Sequence, residues 1–266
     1  MPTTSTSRRP AAPAPPADGP VKHIVQFSGG IASFAVATRV AALARRRGEE
    51  LVLLIADTRA EHPDLWRFSY EAARLLRVPL TRVCDGRTPW EVFADNRWLG
   101  NSRLAHCSLE LKIKPCRRWL EENADPARDR LYIGLDNSPR DQARARAITA
   151  GWLPWQVLYP LHDEPELTKE HLFDEARSLG IAIPTLYELG YDHNNCHGLC
   201  VKAGHRQWRR TLQLFPEEFA GAEAAEEQLR AELGDVAILR EQRDGVRRPL
   251  PLAELRRRQQ ALATAS

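Results

Sequence analysis

Four short stretches of this chain are apolar at most positions: Lys22 to Phe27, Leu51 to Asp57, Pro79 to Val83 and Leu131 to Leu135. A strand with one wet face alternates polar and apolar residues, so continuous runs predict strands buried on both faces. Between them lie segments with helical spacing: Ile31 to Arg47, Pro63 to Leu76, Thr88 to Asp95 and Leu109 to Asn123, then Asp141 to Ala150 after the fourth run. Pro63 suits a first helical turn. Strands alternating with helices predict an α/β, Rossmann-like parallel sheet with helices on both faces. Beyond about Pro160 the pattern changes. Helices are predicted over Thr168 to Leu179 (with Thr168 as cap), His205 to Leu214 and Glu217 to Leu233. A Gly-, Asn-, His- and Cys-rich loop separates the first two, Gly190 to Gly204, and Pro251 to Ala263 reads as a charged helix or frayed tail. The expected division is a Pro/Ala-rich tail (1–20), a nucleotide-binding domain (21–162), a helical Cys-loop region (163–240) and a charged C-terminal segment (241–266).

Composition narrows the classes. The chain has 266 residues, 43% hydrophobic and 27% charged, as in globular proteins. No apolar run approaches the ~20 residues of a membrane span. Thr3 to Pro20 lacks the apolar core of a signal peptide, so a disordered tail and a cytoplasmic location are expected. A net charge of +3 does not indicate a large basic surface, although local Arg clusters can still touch nucleic acid. Five cysteines in such a setting point to metal, cluster or catalytic thiols rather than a disulfide framework. The tryptophans are expected to be packing residues, and none is assigned to substrate.

The first apolar run ends in Ser28-Gly29-Gly30-Ile31-Ala32-Ser33 and passes straight into a helix. Glycines let the backbone approach an anion, the helix N-terminus offers unpaired N–H groups, and Ser28 and Ser33 add hydroxyls. The spacing is neither a Walker loop nor a dinucleotide fingerprint. It resembles the Ser-Gly-Gly-x-x-Ser pyrophosphate loop of the PP-loop ATP pyrophosphatases and the related phosphoadenosine phosphosulfate (PAPS) reductase family, with Ala32 where many relatives carry Asp. Asp57-Thr58 with Glu61 resembles that family's motif after its second strand. Cys107-Ser108 with Lys112, Lys114 and Pro115 resembles its Cys-Ser-x-x-x-Lys-x-x-Pro segment. The resemblance spans about Lys22 to Phe219 and implies the HUP-type version of the Rossmann-like fold. It implies ATP contacts from Ser28, Gly29, Gly30 and Ser33, adenosine contacts from Asp57 and Thr58, and Mg²⁺ at Glu61. Lys112 and Lys114 (with Arg117) would face phosphates, and Arg140 is a further candidate at the end of the fourth strand.

Cys107 precedes a segment bearing Lys and Arg, a positive field that lowers a thiol pKa. Cys84 and Cys116 lack this context. Cys196 and Cys200, four apart in the late loop, add two thiols. Three readings stay open. With Cys107 they hold a [4Fe–4S] cluster; with His193, His197 or His205 they hold Zn²⁺; or they form a persulfide and disulfide relay with Cys107.

The resemblance thus implies an ATP-dependent sulfurtransferase that adenylates a carbonyl of a nucleobase-like substrate, releases pyrophosphate and replaces oxygen by sulfur. Its partners would be a nucleotide, a small-molecule or nucleobase acceptor, and a sulfur-donor protein or sulfide, with no membrane and a homodimer as an option. A PAPS or adenosine phosphosulfate reductase is the alternative, although no cysteine follows Phe219. A non-catalytic nucleotide- or metal-binding protein on the same scaffold is the second alternative, and Ala32 is the residue that argues for it.

Overall fold

The computed structural model describes residues 19–100, 105–163, 165 and 167–264; nearly all of the expected tail (1–20) lies outside them, as does 101–104 before Cys107. Five parallel strands form one sheet in the order β3-β2-β1-β4-β5: β1 Lys22–Gln26, β2 Glu50–Asp57, β3 Leu80–Cys84, β4 Arg130–Ile133 and β5 Gln156–Leu158. The helices between them are α1 Ile31–Arg47, α2 Pro63–Leu76, α3 Pro89–Asp95, α4 His106–Ser108, α5 Lys114–Asn123 and α6 Pro139–Trp152. A π-helical turn, Leu109–Ile113, joins α4 to α5. This is the expected Rossmann-like α/β fold.

Strand alternation divides the core in two. Val25, Leu53 and Ile55 face α1 and α2, whereas Ile24, Val52, Leu54 and Leu131 face Cys116 and Leu120 of α5 and Trp152 of α6. Both faces are therefore dry, which is why the strands read as unbroken apolar runs. The strand order reverses between β1 and β4, so the connections that leave these two strands run to opposite sides and leave a crevice beside the α1 N-terminus.

Next come α7 Lys169–Ser178 and α8 Thr185–Glu188, then α9 His205–Leu214, α10 Pro216–Leu233 and α11 Leu252–Thr264. Leu172, Phe173, Ile181 and Ile183 pack into the α1/α2 layer of the sheet. The segment from 163 to about 189 therefore packs with the parallel-sheet body and not with the Cys-loop region as expected. A separate core joins Phe93, Leu99 and Ala105 to Val201, Trp208, Phe219 and Leu229. The expected boundary at 240/241 falls inside an antiparallel ribbon, β6 Leu239–Arg243 and β7 Val246–Leu250. Asp244-Gly245 turns it with φ of 52° and 76°, the left-handed pair of a tight hairpin. Leu239, Leu250, Leu252 and Leu255 enter the second core, so the C-terminal segment is docked and is not a frayed tail.

One glycine governs how closely the sheet meets the phosphate loop. A Cβ on Gly134, just past β4, would lie 2.7 Å from Ser33 N and 2.8 Å from the Ala32 carbonyl carbon, both backbone atoms. Gly134→Ala should therefore cost about 1–3 kcal/mol by overpacking, a Tm decrease of about 2–12 °C at this size. Gly151→Ala, which meets nothing within 4 Å, should hold or raise Tm in the same thermal scan. Equal melting of both variants would show that the close approach is unimportant.

Candidate functional site

Gly30 caps α1 without any side-chain acceptor, and no acidic residue occupies the first turn. That helix end keeps its positive dipole and free N–H groups for an anion. Gly29, at φ 70°, makes the bend; a Cβ there would collide with Leu65 at 2.6 Å. Ser28 is exposed, whereas Ser33 is buried and spent inside the loop. Its hydroxyl donates to Gly30 O (2.7 Å) and accepts from Ser28 N (3.2 Å). The exposed Ser28 hydroxyl donates to Ser33 Oγ at 3.2 Å, and Ser33 holds the bend in shape.

The loop opens on a cleft of about 870 Å³. Ala56 from β2, Ile133 and Gly134 from β4, Ile148 and Trp152 from α6, and Lys112 line its walls. Arg144 reaches it too. Arg140, the expected phosphate ligand, is exposed outside the lining. Arg144, although it borders the cleft, is also exposed and pairs with Asp141 at 2.5 Å.

The same geometry separates the two lysines. Lys112 faces the cleft and lies 3.5 Å from Glu61, whereas Lys114 is exposed and bound to Glu110 at 2.7 Å. Residues two apart on a helix point to different sides, so Lys114 has no place at the cleft.

Asp57 and Thr58 also differ from expectation. Asp57 is buried, receives the Arg82 guanidinium (Nε at 3.0 Å) and accepts from Arg59 N at 2.8 Å. It locks β2 to β3. Thr58 is buried, donates to Glu61 Oε1 at 2.8 Å, and borders a second cavity. Neither lines the cleft of the phosphate loop, where β2 contributes Leu54, Ile55 and Ala56 instead. Glu61 is equally committed. Its other oxygen accepts from Cys196 N at 2.7 Å, and its side chain is only 3% exposed. A carboxylate already neutralised by Lys112 does not fit a Mg²⁺ ligand, and Glu61 is the only carboxylate among the described residues lining the cleft.

The second cavity lies across the Lys112–Glu61 pair. Cys107, Cys196 and Cys200 all border it, together with Lys202 and an apolar wall that includes Trp90 and Phe93. The three thiols expected to converge from distant parts of the chain do share one cavity, and all are free. Cys196, His197 and Gly198 stand at φ 54°, 46° and 75°. Two successive non-glycine residues in the left-handed region are costly and mark a segment held by its surroundings. Here the holders are Glu61 on Cys196 N and the neighbouring Asn194, whose amide donates to Gly29 O at 2.7 Å. The thiol loop therefore touches the phosphate loop directly. Tyr187, which no motif announced, adds a hydroxyl that accepts from Ile31 N at 3.3 Å.

The electrostatics reverse one expectation. Burial pushes the Cys107 thiol up, outweighing the lowering effect of Lys112. Cys200 is the lowered thiol, held to about 6 by the S–H of Cys196, with the Lys202 backbone N–H and Lys112 assisting. Cys196, as the donor in that contact, is raised. Cys116 is buried and pushed up to about 12, and Cys84 is exposed on β3 away from the cavity.

This pairing also tests the metal readings. His205 Nε2 contacts Arg240 O, and His197 packs against His62 and Phe215. Among the described residues no three His, Cys, Asp or Glu side chains are grouped to hold a metal ion, and neither His205 nor His197 is turned to the cysteines in this arrangement. A [4Fe–4S] cluster attaches each thiolate to a separate iron. The Cys196–Cys200 sulfur contact would have to part to accommodate it. The arrangement as it stands suits sulfur–sulfur chemistry.

No known family model matches the chain, and no curated protein is significantly similar to it. The resemblance therefore rests on motifs and on the geometry that joins them.

Alkylation of Cys200 should follow a titration centred near pH 6, with the thiolate, and hence the rate, increasing as pH rises through that value. At pH 7 mass spectrometry should find Cys200 labelled well before Cys107. Cys196→Ala should move the Cys200 midpoint upward by removing its S–H donor. Equal labelling of Cys107 and Cys200 at pH 7 would refute the assignment.

Proposed function

We propose that the chain is an ATP-dependent sulfurtransferase acting on a carbonyl of a nucleobase-like acceptor. The observation that carries this reading is a shared wall: Lys112, paired with Glu61 at 3.5 Å, borders both the phosphate-loop cleft and a cavity of three thiols. ATP would seat its phosphates at Ser28, Gly29 and Gly30 with its adenosine along Ala56, Gly134 and Trp152. Attack of the acceptor oxygen on the α-phosphorus releases pyrophosphate and leaves the acceptor adenylated. Loop N–H groups and Lys112 stabilise the charge that develops.

Sulfur delivery would use the thiols. A donor persulfide passes its outer sulfur to the Cys200 thiolate, giving Cys200–S–S⁻ and releasing the donor as its thiol. Its terminal sulfur attacks the activated carbon, and AMP departs with the oxygen. Cys196 then attacks the Cys200 sulfur, forming a Cys196–Cys200 disulfide and freeing the thiolated product. An external dithiol restores both thiols. Cys107, kept protonated by burial, is the third sulfur within the cavity. Free thiols accord with a cytoplasmic setting.

The Cys196–Cys200 contact also favours a second reading: a dithiol can supply two electrons to an adenylylated sulfate. Ala32, which lacks the carboxylate of many relatives, supports that reading as well. The test is product analysis. Supplied with ATP, a persulfide donor, a dithiol and a panel of pyrimidine and purine acceptors, the chain should release pyrophosphate and form a thiolated base; Lys112→Ala should lower that rate about 100-fold or more. Sulfite formed from PAPS or adenosine phosphosulfate without pyrophosphate would establish the reductase instead. A brown anaerobic preparation absorbing near ~400 nm would replace the relay by a cluster.

A further inference from the structure

Four arginines stand on the two-stranded ribbon, Arg240 and Arg243 on β6 and Arg247 and Arg248 on β7, and all four are exposed. Pairing register places Arg240 and Arg247 on one face of the ribbon and Arg243 and Arg248 on the other. The next basic cluster behaves differently. Arg256, Arg257 and Arg258 of α11 are neutralised by Glu223, Glu254 and Glu241 respectively. Among the described residues no carboxylate forms an ion pair with any of the four ribbon arginines, so their charge is available to a partner.

The ribbon is also placed at the thiol cavity. Ile238, the residue before β6, lines that cavity. Its neighbour Ala237 presents its carbonyl to Gly100, and Trp98 Nε1 borders the same glycine. Trp98 is 45% exposed. Its indole lies nearly parallel to the His106 ring, 15° between planes and 6.0 Å between centroids. His106 directly precedes Cys107. An exposed aromatic stack thus stands at the cavity, beside a ribbon of unpaired guanidiniums.

We propose that the β6–β7 ribbon and the Trp98–His106 stack form a docking surface for single-stranded nucleic acid, with phosphates on the ribbon arginines and a base on Trp98. Unpaired cations along a track, joined to an aromatic face, are the combination by which proteins hold single strands. A base can reach the cavity thiols only when it is unstacked and unpaired, which favours a single strand over duplex as the occupant. Docking itself stands on charge and ring geometry; that the docked base is the sulfur acceptor rests on the sulfurtransferase reading.

The experiment is fluorescence anisotropy of the full chain with labelled single-stranded RNA and DNA oligonucleotides of ~12 nucleotides, at low and moderate salt. Binding should weaken with salt. Arg240→Ala/Arg247→Ala, which clears one face of the ribbon, should lower affinity about 10-fold or more at low salt and flatten the log–log salt slope by about 1.4, at ~0.7 per phosphate contact. Trp98→Ala should lower affinity about 5- to 100-fold with the slope unchanged, as expected of lost stacking, and Trp98→Phe should recover part of it. A preference for RNA or for DNA supports the surface and identifies the sugar it accepts. Failure of the unaltered chain to bind either strand overturns the proposal. So does unchanged binding by either alanine variant, or equal binding of duplex. Nucleotide binding measured on the same samples separates the two readings. Oligonucleotide binding without ATP binding removes the sulfurtransferase and keeps the surface. The converse removes the surface alone.

Discussion

A buried carboxylate that touches three separate parts of the chain sets the arrangement of everything around it. Glu61 takes the Thr58 hydroxyl at the end of β2, the Cys196 amide in the late loop and the Lys112 ammonium on the π-helical turn. Burying one charge is expensive unless it is paired and hydrogen-bonded. The strand end, the thiol loop and the turn must therefore assemble together for any of them to be stable in this form. The Lys112 ammonium is raised by Glu61 and the surrounding thiols, against the desolvation that would otherwise lower it. It keeps its charge at the point where two cavities meet.

The body of the fold was readable because its physics is local and repetitive. Strands covered on both sides need apolar residues everywhere, and β1, β2 and β4 announce themselves that way. β5 was not foreseen: Gln156–Leu158 is three residues long, too short for any periodicity to show. The ribbon was missed for a different reason. Asp244-Gly245 is a hairpin signal, but its flanks alternate among Arg, Glu and Gln rather than among apolar residues. A ribbon anchored only at its base by Leu239 and Leu250 carries little hydrophobic pattern.

At the site, contiguous motifs were legible and directions were not. The Ser-Gly-Gly bend at the α1 N-terminus followed from order along the chain, whereas the shared cavity of Cys107, Cys196 and Cys200 needed the fold to bring distant segments together. Which of Lys112 and Lys114 turns inward depends on helix rotation. The thiolate assignment depended on still more. Charge density near Cys107 in sequence suggested a lowered thiol, but burial there outweighs Lys112, and Cys200 gains its proton donor from a neighbour four residues earlier. Asn194 and Tyr187 gave no sign of their contacts with the phosphate loop, since each acts on backbone more than 150 residues away.

Glu226 is buried on α10, where desolvation raises its carboxyl, and it accepts the amides of Ile238 and Leu252 at 2.9 and 2.5 Å. Those residues flank the hairpin, so both feet of the arm are bolted to one helix by a single side chain. Such an anchorage separates where the arm stands from what its tip carries. Residues between Arg240 and Arg248 are open to replacement as a cassette, by drift or by design, while the footing stays put and the scaffold beneath continues unaltered.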